Sequence, residues 1–464
     1  MFNLIKSLSL ENFIKFLFFL CPLLIVMGSA PINFFMIICS LSAILWKFKN
    51  NIKIDLRNFE LIFLIFILYL LIFSVLELNI TGFLKICLLT LLLASLLIIR
   101  KIKDFHHVIE KNSKYFILFF IFLIFDGLYQ FLTGSNIIGI KMADGNRVSS
   151  FFGKEAILGS FLAKFSLIFY YLIAKINTKK IFFSFLKWST LFLYFATIFL
   201  SGERVAFLFS IFILLVYFIK IKDFKKIFIV ILTSIILLIA ILNLSFLENY
   251  KIKYKRFVAD LGLISSFSKK YSTQVNIDNQ NKLYIDHTKN NGFKNEDIAR
   301  DLGIPIERLD ELMNNENIDT NFFIESYHGG LFLNSYLIFK ENFFFGVGID
   351  NYKEICKKDI FTKENKVYLL RCSTHPHNIY LELLAETGII GFLIFVIFVY
   401  FYFRYLFQKS VYLKDEMFDT ILVTNLGLFF PLFTTGSFFS SGFFIYYYLF
   451  IILAANYGKY NDIR

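Results

Sequence analysis

The sequence has no Walker phosphate-binding motif and no Ser or Cys nucleophile elbow, which excludes P-loop chemistry and an acyl-enzyme mechanism of that type. Charge is scarce: Asp, Glu, Lys and Arg make up 18% of 464 residues, against 57% hydrophobic and 20% aromatic. Cysteine is scarcer, with five in all; Cys21, Cys39 and Cys87 lie in apolar runs and read as inert packing. The 64 phenylalanines fall in blocks rather than at the spacing of a soluble core. Repeated apolar runs of about 15 to 20 residues match a hydrocarbon core about 30 Å thick, which makes the chain an all-α integral membrane protein.

Twelve spans are expected, at about Asn12–Gly28, Ile32–Trp46, Phe59–Leu76, Gly82–Ile99, Tyr115–Leu132, Ala156–Ala174, Ile181–Leu200, Val205–Ile219, Ile227–Phe246, Ile389–Phe403, Met417–Phe433 and Gly442–Tyr457. No clear small-x-small cleavage site separates the first run from the second, so it reads as a span rather than a signal peptide. Loops 47–58, 100–114, 175–180, 220–226 and 404–416 hold 19 Lys and Arg, whereas the short loops opposite hold Lys141, Arg147, Lys154 and Arg204. The positive-inside rule then puts both termini in the cytoplasm. The organisation expected is residues 1–246 as spans 1 to 9, 247–386 as one large, mainly helical extracytoplasmic loop, and 387–464 as spans 10 to 12. Leu247 to Glu386 has a net charge of −2, so the rest of the chain holds +15 of the total +13. The basic excess sits in short loops between apolar runs, where the positive-inside rule expects it on the cytoplasmic side, and nucleic acid is not needed to explain it.

The large loop begins with Tyr250 to Arg256 (YKIKYKR), a basic stretch suited to anionic headgroups or to an anionic substrate. Asn295 to Met313 imitates a DNA-binding helix-turn-helix but is too acidic for phosphate, and reads as a helical hairpin covering the loop. Leu331, Phe332, Tyr336 and Phe339 have helical spacing, and Gly346-Val347-Gly348 marks a turn. Cys356 and Cys372 share the oxidising side, so a disulfide is expected, contributing about 3 kcal/mol for a loop of about 15 residues.

The chain is organised around Ser373 to Gly391, STHPHNIYLELLAETGIIG. Ser373 or Thr374 suits an N-cap and Pro376 a first turn, so His375 and His377 are expected to open a helix whose N-terminus favours anions. A neutral histidine beside an anion site is a candidate general base. His375, His377 and His328 could instead ligate a metal, but no carboxylate or cysteine holds a typical ligand spacing beside them, so no metal is expected. Capping an interfacial helix is the purely structural alternative. The 39-residue apolar stretch Ile181 to Ile219 is broken only by Ser201-Gly202-Glu203-Arg204. That holds Glu203 and Arg204 at the membrane surface, either snorkelling to water or serving a function. No Asp-x-Asp pair occurs in an outer loop, so an anionic leaving group would have to be neutralised by arginine.

HPHNIYLELLAETGIIGF, SGERVAF, the pattern from His328 to GVGIDNY and NRVSSFFGKEAILGSFLA together resemble the bacterial O-antigen ligase and O-antigen polymerase family. The resemblance implies a glycosyltransferase of the bacterial inner membrane, with its active loop in the periplasm. Its donor would be an undecaprenyl-diphosphate-linked glycan, its acceptor a glycan or lipid A core, and it would need no cofactor. Arg204 matches the arginine of the family's first motif and would bind the diphosphate; His377 matches its histidine and would deprotonate the acceptor hydroxyl. Where the family usually has a second arginine this chain has His328, so His328, His375, Arg147, Arg256 and Arg371 are the further substrate-binding candidates. A lipid-linked glycan flippase would want ionisable residues deep in several spans, yet Lys85, Lys164 and Lys187 are sparse. A metal-dependent protein oligosaccharyltransferase would want acidic ligands in loop 78–81, which has none.

Overall fold

The computed structural model describes residues 9–143, 147–177, 180–226, 327–356, 372–433 and 435–457. The expected span Ile227–Phe246, the Tyr250–Arg256 stretch, the Asn295–Met313 hairpin, Arg256 and Arg371 lie outside them. The protein is an all-α integral membrane protein; among the described residues only two isolated β-bridges interrupt the helical architecture. In order, the longer helices among the described residues are α1 (Leu10–Val26), α2 (Ser29–Lys49), α3 (Asn58–Leu76), α4 (Ile80–Ile99), α5 (Ser113–Thr133), α6 (Leu158–Lys175), α7 (Ile181–Leu200), α8 (Arg204–Lys220), α9 (Tyr327–Glu341), α10 (Ile379–Leu413), α11 (Glu416–Leu428) and α12 (Ser441–Asn456). Among the described residues, seven are long and apolar enough to cross a membrane: α2 to α7 and α10.

Eleven of the twelve expected apolar ranges coincide with helices. The poorest agreement is at Met417–Phe433, because α11 stops at Leu428. Pro431 explains the early stop: the residue before a proline is pushed out of the α region, and the proline has no N–H to continue the ladder.

The chain divides into two compact units, one of residues 1–249, 393–434 and 438–464, the other of 250–392 and 435–437. In the first unit α6 is enclosed on almost all sides, while α7 turns Ile181, Phe182, Phe183 and Phe185 outward, as a lipid-facing helix does. Aromatic rings fill the space around α6: Phe120 packs on Phe161, Phe165 and Phe169, and Tyr194 stacks on Phe169 at 4.3 Å. Backbone polar groups at helix ends are met by side chains. Asn456 donates to the carbonyls of Ile99, Arg100 and Ile102 and accepts from the His106 N–H, fixing the end of α12 to the end of α4. Among the described residues of the second unit, Ile338, Tyr352, Cys356 and Ala385 form a buried cluster, with Cys372 packed against it.

Candidate functional site

The first unit carries the Ser201–Arg204 turn between α7 and α8. Gly202 has φ +75°, a left-handed conformation that glycine adopts without cost and that lets the chain reverse sharply. Glu203 does not point to water. Its carboxylate accepts hydrogen bonds from Gly159 N at 2.7 Å and Ser160 N at 3.1 Å, capping the N-terminus of α6, where negative charge is favoured. Ser201 Oγ accepts from Glu203 N and donates to the Ile198 carbonyl. Only glycine fits at 159, since a Cβ there would lie 2.1 Å from Ser201 Oγ. Burial raises the Glu203 pKa, while the positive charges of Arg147 and Lys164 oppose the rise. Lys164, nearly two turns into α6, donates to the Ser160 carbonyl and lies over the ring of Tyr446 at 4.5 Å.

Arg147 is presented by a loop tied down from α5. Gln130 Oε1 accepts from Ser149 N and Ser150 N at 2.8 and 2.7 Å, its amide donates to the Ile140 carbonyl, and Asp126 accepts from Ile137 N and the Ser150 hydroxyl. Ala143 and Arg147 then exchange two backbone bonds of 2.9 Å. Asp126 and Gln130 are fully buried in a helix and escaped the sequence reading; two polar residues spaced four apart on an apolar helix were the available signal.

In the second unit three imidazoles come together. His377 lies 4.2 Å from His375 and 5.4 Å from His328, ring centre to ring centre, with His328 supplied by the start of α9. Among the described residues no group of three His, Cys, Asp or Glu side chains is arranged to hold a metal ion.

The helix begins later than Ser373 or Thr374 would have it. Asn378 is the cap, its Oδ1 accepting from Tyr380 N at 3.0 Å and Leu381 N at 3.2 Å, and α10 starts at Ile379. His377 has φ +56°, a left-handed conformation uncommon outside glycine, so it stands in the approach loop and not in the first turn. The strain is held from several sides. Thr435 N donates to the His377 carbonyl at 2.8 Å, Ser437 Oγ donates to Glu382, and Cys372, joined to Cys356 by a disulfide with Cα atoms 5.8 Å apart, anchors the segment leading in. Cys356 follows the short helix Tyr352–Ile355, and the Glu386 carboxylate accepts from Tyr352 N and Asp350 N.

Burial lowers the pKa of His377 and, together with the charge of its neighbour His377, takes His375 to about 4; a hydrogen bond with the Thr435 backbone opposes both shifts. Both rings are therefore neutral near pH 7. An unfolded chain takes up protons as pH falls through the ordinary value of 6.5, and the folded chain does so only lower. The stability carried by the neutral rings is thus present above pH 6.5 and lost as pH falls toward 4. Melting of detergent-solubilised protein should show this loss for the wild type and less of it for His375→Gln; equal slopes would exclude the imidazole as its source.

Below the histidine loop, α10 is broken at Gly388, whose φ and ψ are +64° and −172°. In an unbroken helix Ile389 N and Ile390 N would bond to the carbonyls of Ala385 and Glu386. Instead they donate to the Phe343 and Phe344 carbonyls at 2.8 and 3.4 Å, and the Ala385 and Glu386 carbonyls accept from Val347 N and Gly348 N, each at 3.0 Å. The turn 343–348 is spliced into the break so that all four groups are satisfied.

These features define a multi-pass membrane protein with an arginine-bearing turn in one unit and a neutral histidine cluster in the other. A family model described as Wzy_C, O-antigen ligase, matches residues 189–396. That stretch contains Arg204, His328, His375 and His377, and also the undescribed Arg256 and Arg371; Arg147 lies ahead of it. No curated protein matches the chain.

Proposed function

We propose that the chain is a glycosyltransferase that moves a glycan from an undecaprenyl-diphosphate carrier to an acceptor sugar during surface polysaccharide synthesis. One observation carries the reading: inside the stretch that matches an O-antigen ligase family model, a backbone-strained His377 is held neutral among two further histidines. In this reaction the acceptor hydroxyl oxygen attacks the anomeric carbon while the bond from that carbon to the diphosphate breaks. His377 takes the hydroxyl proton, and the diphosphate leaves with the bridging oxygen and the electron pair. Arg204, whose guanidinium is always charged and can bind two phosphate oxygens at once, would neutralise the leaving group, with Arg147, His328, His375, Arg256 and Arg371 as further binding candidates. Arginine does this without a metal ion. The carrier requires the histidine unit to face the periplasm from the bacterial inner membrane, with both termini cytoplasmic, as the loop charges suggest.

The test is transfer by purified protein from a lipid-linked oligosaccharide with chelator present. Wild type should transfer, and Arg204→Ala should lose about 10²–10³-fold in rate, the usual effect of removing one donor from a developing negative charge. An unimpaired Arg204→Ala would remove Arg204 from the site, and a wild type inactive on every such donor would overturn the reading. Offering lipid A core and, separately, a second lipid-linked glycan as acceptor distinguishes ligation from polymerisation.

A further inference from the structure

Three consecutive phenylalanines between Asn342 and Gly346 are turned outward: Phe343, Phe344 and Phe345 are 45%, 63% and 52% exposed. A single exposed aromatic needs no explanation, but three in sequence, outside the buried cluster of Ile338, Tyr352, Cys356 and Ala385, do. Their position in depth follows from the splice. The Phe343 and Phe344 carbonyls are hydrogen-bonded to Ile389 and Ile390, the first residues of an apolar run with no charged side chain before Arg404. At 1.5 Å per residue, Ile389 is about 22 Å along the axis from Arg404 and about 30 Å from Lys409, the next cation. Whichever of these marks the far interface of a hydrocarbon core about 30 Å thick, Ile389 and the turn bonded to it lie at or inside the near one.

The backbone agrees with that depth. Non-helical chain is tolerated in hydrocarbon only where its polar groups are paired, and here the orphaned groups of the helix break are paired by the aromatic turn itself. Lys340, Glu341 and Asn342 immediately before the turn, and the rings after them, reproduce the order of a membrane interface: polar groups toward water, aromatics at the boundary.

We propose that Phe343, Phe344 and Phe345 form a lipid-facing turn seated at the hydrocarbon boundary of the leaflet on the histidine side, packed against the acyl chains of the bilayer. The turn anchors the second unit at membrane depth and holds the spliced break beneath the histidine loop in an apolar surrounding. This inference does not depend on the chemistry proposed above.

The test is fluorescence of Phe344→Trp, and independently of Phe345→Trp, in a chain whose Trp46 and Trp188 are replaced by phenylalanine, reconstituted in phosphatidylethanolamine–phosphatidylglycerol vesicles. Lipids brominated on the acyl chains should quench the new tryptophan by about half or more, and aqueous acrylamide by roughly a tenth, as for a ring at the hydrocarbon boundary. Dominant acrylamide quenching would place the turn in water. Protection from both quenchers would mean a protein cover, and protection that rises with protein density a second copy. Any of these three results overturns the proposal.

Discussion

Replacing His377 with alanine should lower the rate of glycan transfer by about 10²–10⁴-fold, the range general-base catalysis supplies. A base must be neutral at working pH and must be held still. Burial keeps the His377 ring neutral, and the Thr435 N–H, the Asn378 cap and the nearby disulfide fix the loop around it. His375 is less suited, because its Nδ1 pairs with the Thr374 hydroxyl at 3.0 Å and its pKa is lowered to about 4, which makes it a weaker proton acceptor. His375→Ala should therefore cost about tenfold or less, by orienting its neighbour less well. The left-handed φ provides the control. Asparagine adopts that conformation more readily than most residues, so His377→Asn keeps the backbone while removing the base. Recovery of transfer by His377→Asn would show that the residue serves the turn and not the proton.

Much of this arrangement was legible in the residues, and the parts that were not have physical reasons. Apolar runs of membrane length announced the helices because hydrocarbon thickness leaves few alternatives. The cysteine pair was expected to share an oxidising compartment, and the structure joins Cys356 to Cys372. The histidine stretch was recognisable, yet its cap was misplaced: Ser373 and Thr374 are good caps by type and Pro376 a good first-turn residue, and nothing local reveals that His377 adopts a left-handed conformation. That conformation is imposed through Thr435, 58 residues away in sequence. Glu203 was ambiguous for the same kind of reason. Its partners, Gly159 N and Ser160 N, belong to a different helix, and no spacing rule links residues 159 and 203. The splice at Gly388 was the least legible element, since the turn Gly346-Val347-Gly348 and the sequence Glu386-Thr387-Gly388 each read as ordinary punctuation.

Gly388→Ala should destabilise the protein by about 3 kcal/mol or more, a sum of backbone strain and overlap. A φ of +64° with ψ near 180° is accessible essentially to glycine alone, and that term by itself costs about 1–3 kcal/mol. A Cβ built there lies 2.3 Å from the Phe344 carbonyl oxygen, which cannot withdraw because it accepts the Ile390 N–H. Gly346 faces the same constraint from the other side: its φ is +73°, and a Cβ would lie 2.6 Å from the Glu386 carbonyl oxygen. Each glycine lets the other's backbone approach, so Gly346→Ala should cost a similar amount, and the double variant should cost less than the two together because either one alone already opens the splice. Gly442→Ala is the reference: a Cβ there meets only Ser440 Oγ at 3.8 Å, in a helix where alanine is preferred. Thermal unfolding in detergent, read by size-exclusion of the surviving folded fraction, would decide. If Gly388→Ala melts with Gly442→Ala, the backbone exchange between 343–348 and 385–390 is not what holds the histidine helix to its span.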